Sequence, residues 1–210
     1  MKGTYILLVL ALIGAMNSRS QSMVEVWKDF PEAIMPTIDI NARLDMIDLY
    51  QAGMYATAPT LLNDTARLIT VGDTYLEART SKLSTIQIKR LGRERKPLYA
   101  VVFTVETPTP HSHVELYNHK WEHISIGKRL PKITEDNFIC KDVVGIEREN
   151  LLAQVQVCTI QYKMSEEDGT LTLYPSFLDA LDARTRKEIE QYFIEKLQLK
   201  WNGKKWTIKK

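Results

Sequence analysis

The chain has few of the residues on which common enzyme sites are built. Its 210 residues contain two cysteines and four histidines. The two cysteines do not form the Cys-x-x-Cys pair that is typical of redox and zinc sites. A Gly-x-Ser-x-Gly elbow and a glycine-rich phosphate loop are also missing from the sequence. The usual sequence signs of thiol-redox, serine-hydrolase and nucleotide-dependent enzymes are therefore absent.

A long apolar run occurs once, close to the N-terminus. Lys2 precedes an apolar stretch over 5–16, and small polar residues follow over 17–22. This layout predicts a secretory signal peptide over 1–20, cleaved after Ser20 to leave Gln21 as the new N-terminus. The apolar run is shorter than the roughly twenty residues of a membrane-spanning helix. We therefore expect an exported protein without a permanent membrane anchor.

The charge of the chain gives no sign of a nucleic-acid partner. The full chain has 28 basic and 26 acidic side chains. Removal of Lys2 and Arg19 with the predicted signal peptide leaves the two kinds equal in number. Only the segment 196–210 is locally basic, and a neutral protein has no general attraction for a phosphate backbone.

Two helices are predicted near the N-terminus of the mature chain. Ser22 and Glu25 have the spacing of a capping box for a first, short helix. Asp39 or Asn41 is suited to cap a second helix, which Gly53 is placed to end. The second helix has one apolar stripe that we expect to pack on a sheet, formed by Leu44, Ile47 and Tyr50.

From residue 66 to residue 126 the apolar period is two, which predicts a series of antiparallel strands. In 85–91, Ile86 and Ile88 alternate with Gln87 and Lys89, so we expect one face of this strand to be exposed to water. The predicted strands are 67–71, 75–80, 85–91, 98–105, 114–117 and 121–126.

The second half of the chain has weaker signals. The segment 127–150 is irregular, and 151–163 resembles a long strand whose apolar phase changes at a bulge near Val157. A turn at Asp168-Gly169 and a hairpin turn at Asn202-Gly203 are well marked. The remaining predicted elements are a strand at 171–174, a helix at 179–196, and hairpin strands at 197–201 and 205–208.

Together these elements predict an α+β fold. The N-terminal helices pack on a mainly antiparallel β-sheet, and a C-terminal helix is followed by a β-hairpin. We expect a single domain over 21–210; the alternative is two halves joined near 127–150.

The only clustering of chemistry-bearing residues is formed by the histidines His111, His113, His119 and His123. Such a cluster suggests a metal site, and 119–123 matches an inverted zinc-protease pattern that requires a helix. In a strand, however, His119 and His123 lie about 13 Å apart, too far to share an ion. We therefore interpret the four as surface histidines of a hairpin, with a metal-dependent hydrolase as the alternative function.

Cys140 and Cys158 are candidates for a disulfide, since export permits one. A bridge would close a loop of about nineteen residues and stabilise the fold by on the order of 3 kcal/mol. Cys158 lies in an apolar pattern, so a buried free thiol is the other interpretation.

Several stretches resemble a known family of exported proteins from Bacteroides-type bacteria, catalogued as domain of unknown function 3256. The resemblance covers most of the mature chain. It rests on 30–36, 41–49, 68–91, 116–121, 130–131 with Phe138, and the closing Trp201-Asn202-Gly203-Lys204-Lys205-Trp206.

The resemblance implies a Gram-negative envelope, and hence the periplasm as the most favoured location. It supplies no catalytic residues and no cofactor. In such bacteria an Asp-Thr pair followed by a small residue is a form of O-glycosylation site, so the resemblance makes Thr65 a candidate through Asp64-Thr65-Ala66. We expect a non-enzymatic binding or accessory protein that takes an envelope protein or an extended ligand on a sheet face.

Overall fold

The computed structural model describes residues 21–92 and 96–209 and confirms an α+β fold. The predicted signal peptide, 1–20, lies outside the described residues. In the described ranges the helices are α1 (Met23–Lys28), α2 (Ile40–Gln51), α3 (Gly145–Gln154) and α4 (Ala183–Ile189), with 3-10 turns at Glu135–Phe138, Ser176–Ala180 and Glu190–Tyr192. None of these helices has the length and apolar character needed to cross a membrane.

The strands form two antiparallel sheets. The first sheet has seven strands in sequence order: β1 (Thr57–Pro59), β2 (Thr65–Val71), β3 (Tyr75–Ser81), β4 (Ser84–Leu91), β5 (Leu98–Val105), β6 (His111–Tyr117) and β7 (His123–Ile124). The second sheet has four strands in the order β11-β10-β9-β8: β8 (Gln161–Met164), β9 (Leu171–Tyr174), β10 (Leu197–Trp201) and β11 (Trp206–Ile208).

The caps of the two N-terminal helices are those that the sequence predicts. The Ser22 hydroxyl accepts from the Glu25 backbone N–H at 3.2 Å, and the Glu25 carboxylate accepts from the Ser22 N–H at 2.7 Å. Asp39 accepts from the Ala42 N–H at 2.9 Å and so caps α2. After α2, Gly53 has a φ of 69°, a left-handed conformation that glycine adopts without strain.

Both helices pack on one face of the first sheet, here called the helix face. The buried face of α2 differs from the predicted stripe, because only Ile47 of its three members is fully buried. Arg43 is also buried, since its guanidinium donates to the carbonyl oxygen of Phe30 and so holds the segment between the helices. The main buried side chains of this core are Trp27, Phe30, Ile38, Met46, Ile47, Leu76, Ile86, Ile88 and Val101.

The opposite face of the first sheet packs against the second sheet, and here the prediction of a strand over 151–163 is wrong. Leu151 is buried in the last turns of α3, the chain is irregular after Gln154, and β8 begins only at Gln161. Val157 is 63% exposed and no bulge occurs there. A short apolar run does not distinguish a strand from a buried helix turn by periodicity alone.

The C-terminal helix is shorter than predicted, whereas the final hairpin is confirmed. Asp182 caps α4 by accepting from the Arg184 and Thr185 N–H groups at 3.0 and 3.1 Å. The rest of 179–196 is divided between 3-10 turns and extended chain. Strands β10 and β11 are joined through Asn202-Gly203, and Gly203 has a φ of 93°.

Because both cores are built on the first sheet, we keep the prediction of one domain over 21–210.

Candidate functional site

The structure does not bring the four histidines together. His111 and His113 lie in β6, His119 lies in the following turn, and His123 lies in β7. His111 Nδ1 accepts from the backbone N–H of Ile160 at 3.3 Å. Among the described residues, no three side chains of the metal-binding types are close enough to hold an ion. The hydrolase alternative therefore gains no support from the geometry.

Aromatic neighbours hold the exposed histidines of the hairpin. The His113 ring stacks on Phe103 with ring centroids 4.9 Å apart. The His123 ring meets Tyr117 edge-on at 5.8 Å. Both histidine rings are thus surface side chains that pack against an aromatic residue of the first sheet.

Cys140 and Cys158 are both free thiols, and both are half-buried beside the core between the sheets. Burial, together with a hydrogen bond to Glu135, raises the pKa of Cys158 to about 11. Both cysteines are thus free thiols in the structure. The Cys140–Cys158 disulfide and the buried free thiol at Cys158 both stay predictions.

Thr65, the predicted glycosylation residue, is exposed at the start of β2. Asp64 accepts from the Thr65 N–H at 2.7 Å and from the Lys82 N–H at 2.9 Å. These backbone hydrogen bonds lower the pKa of Asp64. The modification itself stays a prediction.

The expectation that one face of β4 is exposed to water is wrong. Gln87 and Lys89 are 8% and 2% exposed, because β8 packs across this face of the first sheet. An edge strand has a row of backbone N–H groups without a strand partner. On the outer edge of β8, these groups are paired by side chains of the first sheet.

Alternate residues of the β8 segment make these hydrogen bonds. The Met164 N–H donates to Gln87 Oε1 at 2.9 Å, and the Tyr162 N–H donates to Ser112 Oγ at 3.0 Å. Ser112 is in turn hydrogen-bonded to Thr104 at 2.8 Å. We call this set of side chains and the backbone of β8 the seam.

Lys89 extends the seam to the turn between β8 and β9. Its ammonium donates to Thr74 Oγ1 at 2.9 Å and to the carbonyl oxygen of Glu166. Burial lowers the pKa of Lys89, and the nearby carboxylates of Asp168 and Glu166 partly oppose that shift. The two sheets are thus joined by buried polar groups as well as by apolar packing.

Beside the seam, the first sheet remains open and forms a groove of about 300 Å³. One wall comes from strands β2 to β5 and the other from β8. We call it the sheet groove; it is lined by Ile69, Glu77, Arg79, Lys82, Thr85, Gln87, Thr104, Glu106, Gln161, Tyr162 and Lys163.

Hydroxyl groups hold the two acidic side chains of the sheet groove. Glu77 accepts from the Tyr75 hydroxyl at 2.7 Å, and Glu106 accepts from Thr85 Oγ1 at 3.4 Å. Arg79 is exposed, and within the described parts of the chain it has no ion-pair partner. The groove therefore offers a guanidinium that is not paired with any carboxylate of the described residues.

A second arginine lies next to Arg79 across the sheet. Arg67 in β2 is directly opposite Arg79 in β3, so two like charges face each other on neighbouring strands. The Arg67 guanidinium lies 3.9 Å from the centre of the Tyr55 ring and donates to its hydroxyl at 2.8 Å. This contact pairs Arg67 with the residue stretch just before β1, the strand on the other side of β2 from β3.

The sequence patterns do not point to the sheet groove. Glu77 and Arg79 alternate with buried Leu76 and Ala78, which predicts only an exposed strand face. The groove that Arg79 lines is recognised only when β8 is placed across the first sheet, and the sequence gives no sign of that packing.

Fold and site define an α+β protein of two packed antiparallel sheets with an open polar groove along their junction. The chain belongs to the family described as "Protein of unknown function (DUF3256)", whose model matches residues 15–206. A solved domain of an uncharacterized protein from Porphyromonas gingivalis W83 has a similar fold, with a TM-score of 0.75 at 16% identity. The alignment covers 89% of this chain and 97% of that one. No curated protein matches the sequence.

Proposed function

We propose that this protein is an exported, periplasmic and non-enzymatic binding module that takes an extended polar ligand in the sheet groove. The observation that carries the proposal is the open groove beside the seam, in which Arg79 is exposed and forms no ion pair with a carboxylate of the described ranges. The ligand is a segment of another envelope protein or another extended chain.

The shape and lining of the sheet groove support an extended ligand. The groove crosses the four strands β2 to β5 and is bounded on one side by β8. Its lining mixes amide, hydroxyl and charged groups, which suit a chain with many hydrogen-bonding groups. Arg79 favours a ligand with a carboxylate or another planar anionic group, to which a guanidinium binds through two hydrogen bonds.

The binding role is tested by site-specific photo-cross-linking in the native host. A photoreactive phenylalanine analogue replaces Arg79 in one strain and Arg184 in a control strain, because Arg184 is an exposed arginine on α4 outside the sheet groove. We expect a discrete adduct at position 79 that is absent at position 184. Equal labelling at both positions, or none at position 79, contradicts a ligand in the groove.

The contribution of Arg79 is tested once the adduct is identified. The Arg79→Glu variant is expected to bind the cross-linked ligand at least ~10-fold more weakly, since a charge-assisted hydrogen bond contributes about 1.5–3 kcal/mol. An unchanged affinity removes Arg79 from the binding surface.

Export is tested separately. We expect the protein in the periplasmic fraction, with Gln21 as the first residue on N-terminal sequencing. A cytoplasmic protein that retains residues 1–20 contradicts the proposed location and leaves the binding test unaffected.

A further inference from the structure

A second groove, of about 590 Å³, lies against the core between the two sheets. It is independent of the sheet groove, since the two have no lining residue in common. We call it the lysine groove; it is lined by Asn137, Ile139, Lys141, Ile194, Lys196, Leu197, Gln198, Ile208 and Lys209.

The floor of the lysine groove is aliphatic and continuous with the protein core. Ile139 and Leu197 are 5% and 9% exposed and belong to the core between the sheets, and Ile194 packs against that core. Ile208 stands opposite Leu199 across the hairpin and is 44% exposed, which leaves an apolar wall open to solvent. An alkyl chain placed here extends an existing apolar surface.

The rim of the lysine groove is positively charged. Lys141, Lys196 and Lys209 line it and are all exposed, and no aspartate or glutamate is among the lining residues. The Lys209 ammonium donates to Gln198 Oε1 at 3.3 Å, which places a cation beside the floor. Within the described residues, none of the three lysines forms an ion pair.

We propose that the lysine groove binds an anionic amphiphile of the fatty-acid class, an unbranched alkyl chain that ends in a carboxylate. The alkyl chain lies on Ile139, Ile194, Leu197 and Ile208, and the carboxylate lies among the lysines. The volume is within the range of small-molecule sites. An acidic peptide fits less well, because its buried backbone groups would find only Asn137 and Gln198 as polar side-chain partners outside the lysines.

The proposal is tested by calorimetric titration of the purified protein with octanoate, decanoate and dodecanoate below their micelle concentrations. We expect saturable binding of one dodecanoate per chain. Each fully buried methylene is worth about a fourfold change in affinity, so octanoate is expected to bind more weakly than dodecanoate by up to roughly 200-fold. A series without dependence on chain length, or the absence of saturable binding, overturns the proposal.

Two variants and one control locate the site. Lys196→Gln/Lys209→Gln is expected to weaken dodecanoate binding by ~10-fold or more. Ile208→Ser, at an exposed position that folding tolerates, is expected to shorten the range over which added methylenes improve affinity. The control Lys204→Gln/Lys205→Gln removes two exposed lysines of the same hairpin outside the groove and is expected to bind as the unmodified protein does. An equal loss in the control overturns the proposal.

The sign of the charge is tested with other probes of equal chain length. Dodecyltrimethylammonium and dodecanol are expected to bind at least ~10-fold more weakly than dodecanoate. Equal binding of the cationic probe contradicts the role of the lysines. Tighter binding of an acidic peptide of alternating glutamate and leucine assigns the groove to a protein partner and also overturns the proposal.

Discussion

The seam between the two sheets is tested most directly at Gln87. Its side-chain oxygen accepts the Met164 N–H at 2.9 Å, and Gln87 and Met164 are 8% and 5% exposed. Methionine has nearly the shape of glutamine but cannot replace this acceptor. In the Gln87→Met variant the Met164 N–H stays buried without a partner.

The expected loss follows from the cost of a buried unpaired amide, about 1–3 kcal/mol. The added apolar contact of methionine offsets part of it, so we expect the free energy of unfolding to fall by about 2 kcal/mol. For a chain of this size, that corresponds to a decrease in Tm of about 4–8 °C. Urea unfolding followed by tryptophan fluorescence and circular dichroism measures the change.

The matched control is Gln154→Met, at an exposed glutamine in the last turn of α3, where the change is expected to stay within about 0.5 kcal/mol. A local readout accompanies the unfolding curves. Hydrogen exchange of the Met164 amide is expected to accelerate in Gln87→Met while the amides of β4 keep their protection. A Gln87→Met protein as stable as the original, with unchanged exchange at Met164, refutes the hydrogen-bonded seam.

Three further predictions concern buried or constrained groups. Because burial lowers the pKa of Lys89 below its ordinary value of 10.5, the unfolded chain binds more protons there as the pH approaches 10.5 from below. The stability of the original protein relative to Lys89→Met is therefore expected to rise as the pH increases towards 10.5, and a flat difference in urea unfolding contradicts this. The Cys158 thiol has a pKa of about 11, so in a reduced Cys140→Ser protein it is expected to react slowly with a disulfide reagent at pH 8. The reaction is expected to become rapid once urea unfolds the chain. Fast labelling of the folded protein contradicts this, because it shows an accessible thiolate. Gly203→Ala is expected to lower the free energy of unfolding by about 1–2 kcal/mol, because Gly203 has a φ of 93°. The control Gly72→Ala, in a turn without a positive φ, is expected to lower it clearly less. Equal losses in the two variants contradict the assigned turn.

The features that the sequence predicts correctly depend on interactions within a few residues. The capping box of Ser22 and Glu25, the cap at Asp39, and the hairpin turn at Asn202-Gly203 each need only their own neighbours along the chain. The sequence also predicts strands β2 to β7 of the first sheet, because each pairs with the next in sequence and alternation of apolar residues indicates one buried face. It misses β1, which has only three residues.

The elements that were predicted wrongly depend on packing between distant parts of the chain. Leu151 lies in α3 and is buried in the core between the two sheets. In the sequence, its even spacing to the apolar Val155 and Val157 is the spacing of one strand face, so the pattern predicts a strand where the chain forms a helix. In the same way, Arg43 is a charged residue on the buried face of α2, and its role depends on the Phe30 carbonyl oxygen thirteen positions away.

Gln87 and Lys89 show why the site was harder to predict than the fold. A glutamine and a lysine that alternate with isoleucines are typical of a strand with one face in water. The same pattern arises when another segment covers that face and its backbone N–H and C=O groups hydrogen-bond to the polar side chains. What distinguishes the two cases is the position of β8, about 75 residues further along the chain. The sheet groove exists because β8 covers only part of the polar face. The exposed arginine of the groove and the buried glutamine of the seam are thus two outcomes of one sequence pattern, separated only by whether a strand lies above them.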